Sequence, residues 1–175
     1  MEDAVIPIHT IDLKDFTHPG GLPPVIADEE FCKGVGEKIA NNSFLELIEN
    51  ENELLPCRRP SNLEGFSIAH IGQDWGNGLI AIWDDKTNQI VGGQANGVPY
   101  VLPEYRGKYL GREIQLRAFD TGLKTIHDGS FFSPGGLACR KSAHKFAVER
   151  ALQQGIVVSD EVMADYPELT TSFKM

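Results

Sequence analysis

The sequence predicts an α/β fold, a mixed but mostly antiparallel central sheet flanked by helices, on three observations. Four short apolar runs of strand character succeed one another between residues 66 and 102. From Leu110 the apolar period lengthens to that of a helix, and residues 137–154 carry a long helical pattern. A length of 175 residues suits one hydrophobic core better than two, so a single domain over 28–175 is expected, preceded by an atypical N-terminal arm over 1–27.

In that arm Pro7, Pro19, Pro23 and Pro24 with Gly20 and Gly21 leave only Val5 to Leu13 as a short extended candidate. Asp28 is placed to cap a helix on which Phe31, Val35 and Ile39 recur every fourth residue. Asn41 and Asn42 mark a break before a second helical stretch containing Phe44, Leu45, Leu47 and Ile48. Pro56 and Pro60 then stop regular structure. Strands follow at Phe66–Ile71, Leu79–Trp83, Gln89–Gln94 and Val98–Leu102, with 84–88 as a hairpin connection that makes its neighbours antiparallel. Leu110, Ile114, Ala118 and Leu123 outline a helix weakened at Gly122, and His127–Phe132 read as one more strand. The long helix has Ala143, Phe146, Ala147 and Ala151 among charged positions and a stop at Gly155. Ser159 is placed to cap a short last helix that ends near Pro167.

Hydrophobic residues at 41% and charged residues at 23% are ordinary for a folded domain. Acidic side chains outnumber basic ones 25 to 16, and the resulting charge of -9 repels a nucleic-acid backbone, so no duplex partner is expected. The basic cluster of Arg106, Lys108, Arg112 and Arg117 suits a small anion instead. Cys32, Cys57 and Cys139 are odd in number and lack a CxxC pair, which speaks against a disulfide framework or a thiolate zinc site and for a reducing, cytoplasmic setting. No apolar stretch reaches the roughly 18 residues of a membrane span, and the first residues lack the pattern of an export signal, so no membrane partner is expected.

The strand ending at Leu102 runs into Pro103-Glu104-Tyr105-Arg106-Gly107-Lys108-Tyr109-Leu110-Gly111 and then directly into the helix at Arg112. First-turn amides of a helix have no intrahelical acceptor, and the aligned peptide dipoles favour negative charge there. Gly107 and Gly111 allow close backbone approach, and Arg106, Lys108 and Arg112 add positive charge. The segment is therefore read as a holder for a phosphorylated or otherwise anionic ligand, against the plainer alternative of a solvated charged turn. It matches neither the G-x-G-x-x-G dinucleotide pattern nor the P-loop, which disfavours those chemistries.

The run Val101 to Gly111 resembles motif A of the GNAT superfamily of N-acetyltransferases, written V-x-P-x-x-R-G-x-G-x-G/A. Residues Ile80 to Asp85 and Ile90-Val91-Gly92-Gly93 look like that superfamily's hairpin and its I-V-G strand. The resemblance spans about residues 79–123. It implies an acyltransferase-like domain that moves an acetyl or similar acyl group from acetyl-CoA or another acyl-CoA to an amine by direct attack. Val101, Arg106, Gly107, Lys108, Tyr109, Leu110, Gly111 and Arg112 would contact the cofactor, largely through backbone amides. The acceptor would be a small molecule or a peptide amine, and a homodimer is compatible with it. Two departures stand out: Tyr109 occupies the middle glycine position, and the stretch from Gly93 to Val101 is short for the usual pair of central strands. The bulk of Tyr109 either restricts the cofactor path or merely points away if the residue keeps helical dihedrals, since only a positive φ demands glycine.

Attack of an amine on a thioester needs a base, an oxyanion site and a proton donor for the thiolate. No glutamate lies between Gly65 and Val101, so the carboxylate common on the superfamily's strands has no counterpart. His70, with Asp74 as an orienting partner, is the alternative base, against an ordinary polar loop role. Tyr100 and Tyr105 flank the expected thioester position and are read as acids or as packing. Cys139 is a candidate thiol acid or, more plainly, a small buried residue. Cys139 and His144 lie five residues apart and are out of phase on a helix, whereas Arg140 and His144 share a face and, with Lys141, could meet an anion or simply cap the acidic surface. Trp75 and Trp83 read as core or rim aromatics. The competing reading is a catalytically inactive GNAT-like regulatory or protein-interaction module, with hydrolysis or unrelated anion binding as lesser alternatives.

Overall fold

The computed structural model describes residues 6–17, 23, 25–72, 78–95, 97–123 and 131–172. Helices α1 (Leu13–Thr17), α2 (Glu29–Phe31), α3 (Glu37–Glu49) and α4 (Glu51–Leu54) are interleaved with the short strands β1 (Val25–Ile26) and β2 (Arg59–Pro60). Strands β3 (Phe66–Gly72), β4 (Gly78–Asp84), β5 (Gln89–Ala95) and β6 (Val98–Val101) follow. The chain continues through α5 (Leu110–Thr121), β7 (Phe131–Phe132), α6 (Pro134–Gln153), α7 (Asp160–Met163) and α8 (Pro167–Ser172).

Strands β2 to β6 form one antiparallel sheet in sequence order, while β1 and β7 make a separate parallel pair. The predicted α/β class with antiparallel strands between helices is therefore present, and the sheet's interior strand β4 explains why. Leu79-Ile80-Ala81-Ile82-Trp83 is apolar throughout because both faces are covered. Leu79, Ala81 and Trp83 pack with Ala69, Ile90 and Ala95 against Leu47 and Leu54 of α3 and α4. Ile80 and Ile82 pack with Ile68 and Val91 against Leu110, Ile114 and Ala118 of α5. Each fully buried Leu or Ile contributes about 1.5–3 kcal/mol.

The bond between α3 and the sheet has a polar anchor. The buried Ser43 hydroxyl donates to the Val98 carbonyl at 2.5 Å and accepts from the Ala95 amide at 3.1 Å, joining β5 to β6 where they turn. Ser43→Ala orphans both backbone groups and is expected to cost about 1–3 kcal/mol, read as a lowered urea midpoint with unchanged m value.

Several expectations change. No break occurs at Asn41-Asn42: α3 runs through both, and upstream Cys32–Gly36 continue the helix as a π-helical stretch from the predicted cap, where Asp28 accepts from the Phe31 amide at 2.7 Å. Phe31, Val35 and Ile39 do form one face, but it is exposed. The Val5–Leu13 segment is not extended over its described part. Ile8–Thr10 form a 3-10 turn and α1 begins at Leu13. The helix capped by Ser159, α7, stops at Met163, and a further helix, α8, begins at Pro167 where the sequence predicts an end. Of the predicted strand 127–132 only Phe131–Phe132 fall among the described residues; they pair with Val25–Ile26, not with the main sheet. Trp75 and Asp74 lie outside the described residues.

Helix α6, capped by the Ser133 hydroxyl on the Gly136 amide at 3.0 Å, forms an outer layer on α5. Ala143 and Ala147 pack there with Leu116 and with Ile8 and Phe16 of the arm. Arg140 and His144 do not face an outer anion: both are buried against the arm. Arg140 lies over the Phe16 and Phe119 rings at 4.4 and 4.5 Å and donates to the Phe16 carbonyl. Among the described residues no helix is long and apolar enough to cross a membrane.

Candidate functional site

The turn after β6 is built by opposing local demands. Leu102-Pro103 ends the strand, Pro103–Tyr105 form a 3-10 turn, and the Tyr105 hydroxyl donates to Asp84 at 2.6 Å, which ties the turn to the β4–β5 hairpin. That bond lowers the Asp84 carboxyl and raises the Tyr105 phenol relative to their ordinary values. Gly107 then takes φ +80° and Tyr109 takes φ +70°, both left-handed, and α5 begins at Leu110 without a side-chain cap. Its first intrahelical bond runs from the Glu113 amide to the Tyr109 carbonyl at 3.2 Å. The amides of Leu110, Gly111 and Arg112 precede that bond and are the ones an anion would use.

The two glycines serve different ends. A Cβ on Gly107 would meet nothing within 4 Å, so this residue is needed for its dihedral. A Cβ on Gly111 would fall 2.3 Å from Cys139 Sγ: this glycine admits α6, not a ligand, to its side. Tyr109 does not keep helical dihedrals. It is a non-glycine residue in a left-handed position and is 60% exposed.

The cations are partly committed. Arg106 donates from Nε to the Val101 carbonyl at 3.0 Å and lies 5.7 Å from the Tyr100 ring centre, and Lys108 stands 5.4 Å from the Tyr105 ring centre; both residues remain exposed. Arg112 is sandwiched between Tyr109 at 4.7 Å and Phe146 at 4.3 Å, with Nη2 3.7 Å from Glu113. Arg117 points to another place altogether, its Nη1 3.1 Å from His70 Nδ1. Val101 and Leu110 pack their side chains into the core on the α5 side, leaving only their backbone for a ligand.

His70, Tyr100 and Cys139 do not converge. His70 is on the α5 face of β3, against Arg117; Tyr100 is on β6 with its ring 5.2 Å from Phe44, on the α3 face. Two strands, β4 and β5, stand between, so the strands that carry them are about 14 Å apart at the usual spacing. One reacting atom can use His70 or Tyr100, not both. Cys139 sits under Gly111, and burial pushes its thiol up, away from the thiolate a nucleophile needs. Burial first, and then Arg117, lower His70, so it stays a neutral imidazole that accepts at Nδ1. Among the described residues no group of three or more His, Cys, Asp or Glu side chains is placed to hold a metal.

A functional candidate absent from the strand-centred reading is Glu113, 3% exposed on the first turn of α5. Asn62 donates to its Oε2 at 3.1 Å, its Oε1 has no hydrogen-bond partner among the described residues, and burial raises its carboxyl above the usual range. The one signal in the sequence is the i, i+4 pairing of Glu113 with Arg117, which reads equally well as a solvated helix face. Compared with protein-family models, curated proteins and solved structures, the chain matches none.

Proposed function

We propose that the chain is an N-acyltransferase that takes an acetyl or similar acyl group from coenzyme A. The observation that carries this reading is the uncapped start of α5, set directly behind the left-handed residues Gly107 and Tyr109, with exposed Arg106 and Lys108 beside it. Backbone amides, helix dipole and two cations together favour a pyrophosphate, and the run from Val101 to Gly111 is the one that resembles GNAT motif A. Strands β4, β5 and β6 lead to this turn as an antiparallel meander, as that resemblance implies. In the transfer, a neutral amine attacks the thioester carbonyl, the new C–N bond forms as the C–S bond breaks, and the amine proton passes to the departing thiolate.

Calorimetric titration with acetyl-CoA and with coenzyme A tests the reading, and lack of binding by folded protein at millimolar ligand would sink it. Arg106→Ala should weaken coenzyme A by about tenfold or more, the worth of one charge-assisted hydrogen bond, with circular dichroism unchanged. A pantetheine fragment without the pyrophosphate should lose little. Equal weakening for both ligands would remove Arg106 from the phosphates.

A second reading, a GNAT-like module that regulates or binds proteins without turnover, draws on two specific observations. Cys139 fills the space beside Gly111, and Phe31, Val35 and Ile39 expose an apolar face. Acceptor-dependent thioester consumption across a panel of amines would rule it out.

A further inference from the structure

The helices that cover the sheet face opposite α5 expose apolar surface out of proportion to their length. Of twelve large hydrophobic residues exposed among the described residues, eight fall between Val25 and Leu55. Single exposed hydrophobics are ordinary on a protein surface, whereas such a concentration marks a contact face. The same stretch is strongly acidic: residues 28–53 hold eight acidic and two basic side chains, a net of -6 in a chain of -9.

Within it Leu45, Ile48 and Leu55 form one stripe. Leu47 turns inward onto the sheet, and Leu54, seven residues on, does the same. Ile48 and Leu55, each one position further, therefore repeat one another on the outside, and Leu45 lies one turn before Ile48. Leu45 is 57% exposed, Ile48 44% and Leu55 40%. Asn41, four residues before Leu45, and Asn52, four after Ile48, continue the stripe with exposed uncharged side chains. Glu37, one turn before Asn41, and Glu49, one turn after Leu45, bring carboxylates to it. Both are exposed, and neither makes an ion pair among the described residues. Lys38 is the only cation on α3.

We propose that this stripe docks a cationic amphipathic helix of a partner protein, its apolar residues on Leu45, Ile48 and Leu55 and its lysines or arginines beside Glu37 and Glu49. Charge selects this occupant. A second copy of the chain would set two faces of like charge against each other, and an anionic membrane or a nucleic acid would meet the same repulsion. The stripe belongs to the layer across the sheet from α5, so the proposal holds whichever reading of the α5 start is right.

The test titrates the full chain with a labelled fourteen-residue peptide of leucine and lysine whose leucines fall on one helical face. Saturable one-to-one binding that weakens with added salt is expected. Three control peptides should each bind at least about tenfold more weakly: one with the same leucines dispersed around the helix, one of lysine alone, and one with glutamate in place of lysine. Leu45→Ser and Ile48→Ser should each weaken the peptide by about tenfold, and Glu49→Lys by about threefold or more. Val157→Ser, at a residue 93% exposed in the α6–α7 loop, should leave affinity unchanged. Should a serine variant fail to fold, Glu49→Lys and the control peptides decide. Absence of saturable binding, equal binding of the dispersed-leucine peptide, wild-type affinity in both serine variants, or an equal loss in Val157→Ser would each overturn the proposal. So would a dimer in sedimentation that Ile48→Ser abolishes, because the stripe would then belong to a second copy.

Discussion

Gly93→Ala is expected to destabilise the protein by about 3 kcal/mol or more. Gly93 sits on β5 in the middle of the sheet with φ +155°, a conformation that L side chains rarely adopt. A Cβ there would fall 2.0 Å from the Ile80 carbonyl oxygen and 2.6 Å from Leu47 Cδ1. The first clash is with backbone in the neighbouring strand, so relief requires β4 and β5 to separate; the second pushes on the helix that covers this face. Gly107→Ala is the control: its φ of +80° is also left-handed, but nothing lies within 4 Å of the added atom. It should cost only the dihedral penalty, about 1–2 kcal/mol. Urea denaturation of the two variants separates crowding from dihedral strain. Equal midpoint shifts would mean that the close approach between Gly93 and Ile80 is relieved cheaply.

The same residue shows what was readable beforehand. The I-V-G-G run is visible in the sequence as a strand because Ile90 and Val91 flank the β4 pattern, and period-two alternation depends on neighbours within a few residues. Helix caps are equally local, and Asp28 and Ser159, the two caps legible in the sequence, each accept from an amide of the helix that follows. Long-range choices were not readable. Asn41 and Asn42 favour a break by propensity, yet burial of Leu47 and the Ser43 bridge to the β5–β6 hairpin hold the helix through them. Periodicity put Phe31, Val35 and Ile39 on one face without saying whether that face is covered. In the site, the α5 start was legible because it is one continuous run, whereas the buried setting of Glu113 needs Asn62, which is 51 residues away in the chain. The Glu113 carboxylate stands on a helix, not on a strand.

His144→Leu is expected to lower stability by about 2–5 kcal/mol and to flatten its dependence on pH. His144 is fully buried on α6 and joins three parts of the chain. Its Nε2 lies 2.6 Å from the Ile11 carbonyl, which can only accept, so Nε2 carries the proton; Nδ1, 2.7 Å away, accepts from the Tyr166 hydroxyl. Both ring nitrogens are thus used by the neutral imidazole, and protonation of Nδ1 would break the bond from Tyr166. Burial lowers His144 below its ordinary value of 6.5, with the Ile11 bond, Asp165 and Asp12 opposing, and burial likewise raises the Tyr166 phenol. Above pH 6.5 the imidazole is neutral in folded and unfolded chains alike, and the clasp contributes in full. As pH falls through 6.5 the unfolded chain takes up a proton that the folded one refuses, so stability declines until the lowered folded value is reached. One such histidine gives at most about 1.4 kcal/mol per pH unit. His70, lowered for a similar reason, adds a slope of the same sign, so the leucine variant should keep that remainder. Tyr166→Phe leaves Nδ1 without its donor and should cost about 1–3 kcal/mol, and the double variant should cost less than the two single costs together because each removes the other's partner. Thermal melts of the four proteins between pH 5 and 8 read both effects. An unchanged slope below pH 6.5 in His144→Leu, with the fold intact, would show that the clasp does not govern the acid response.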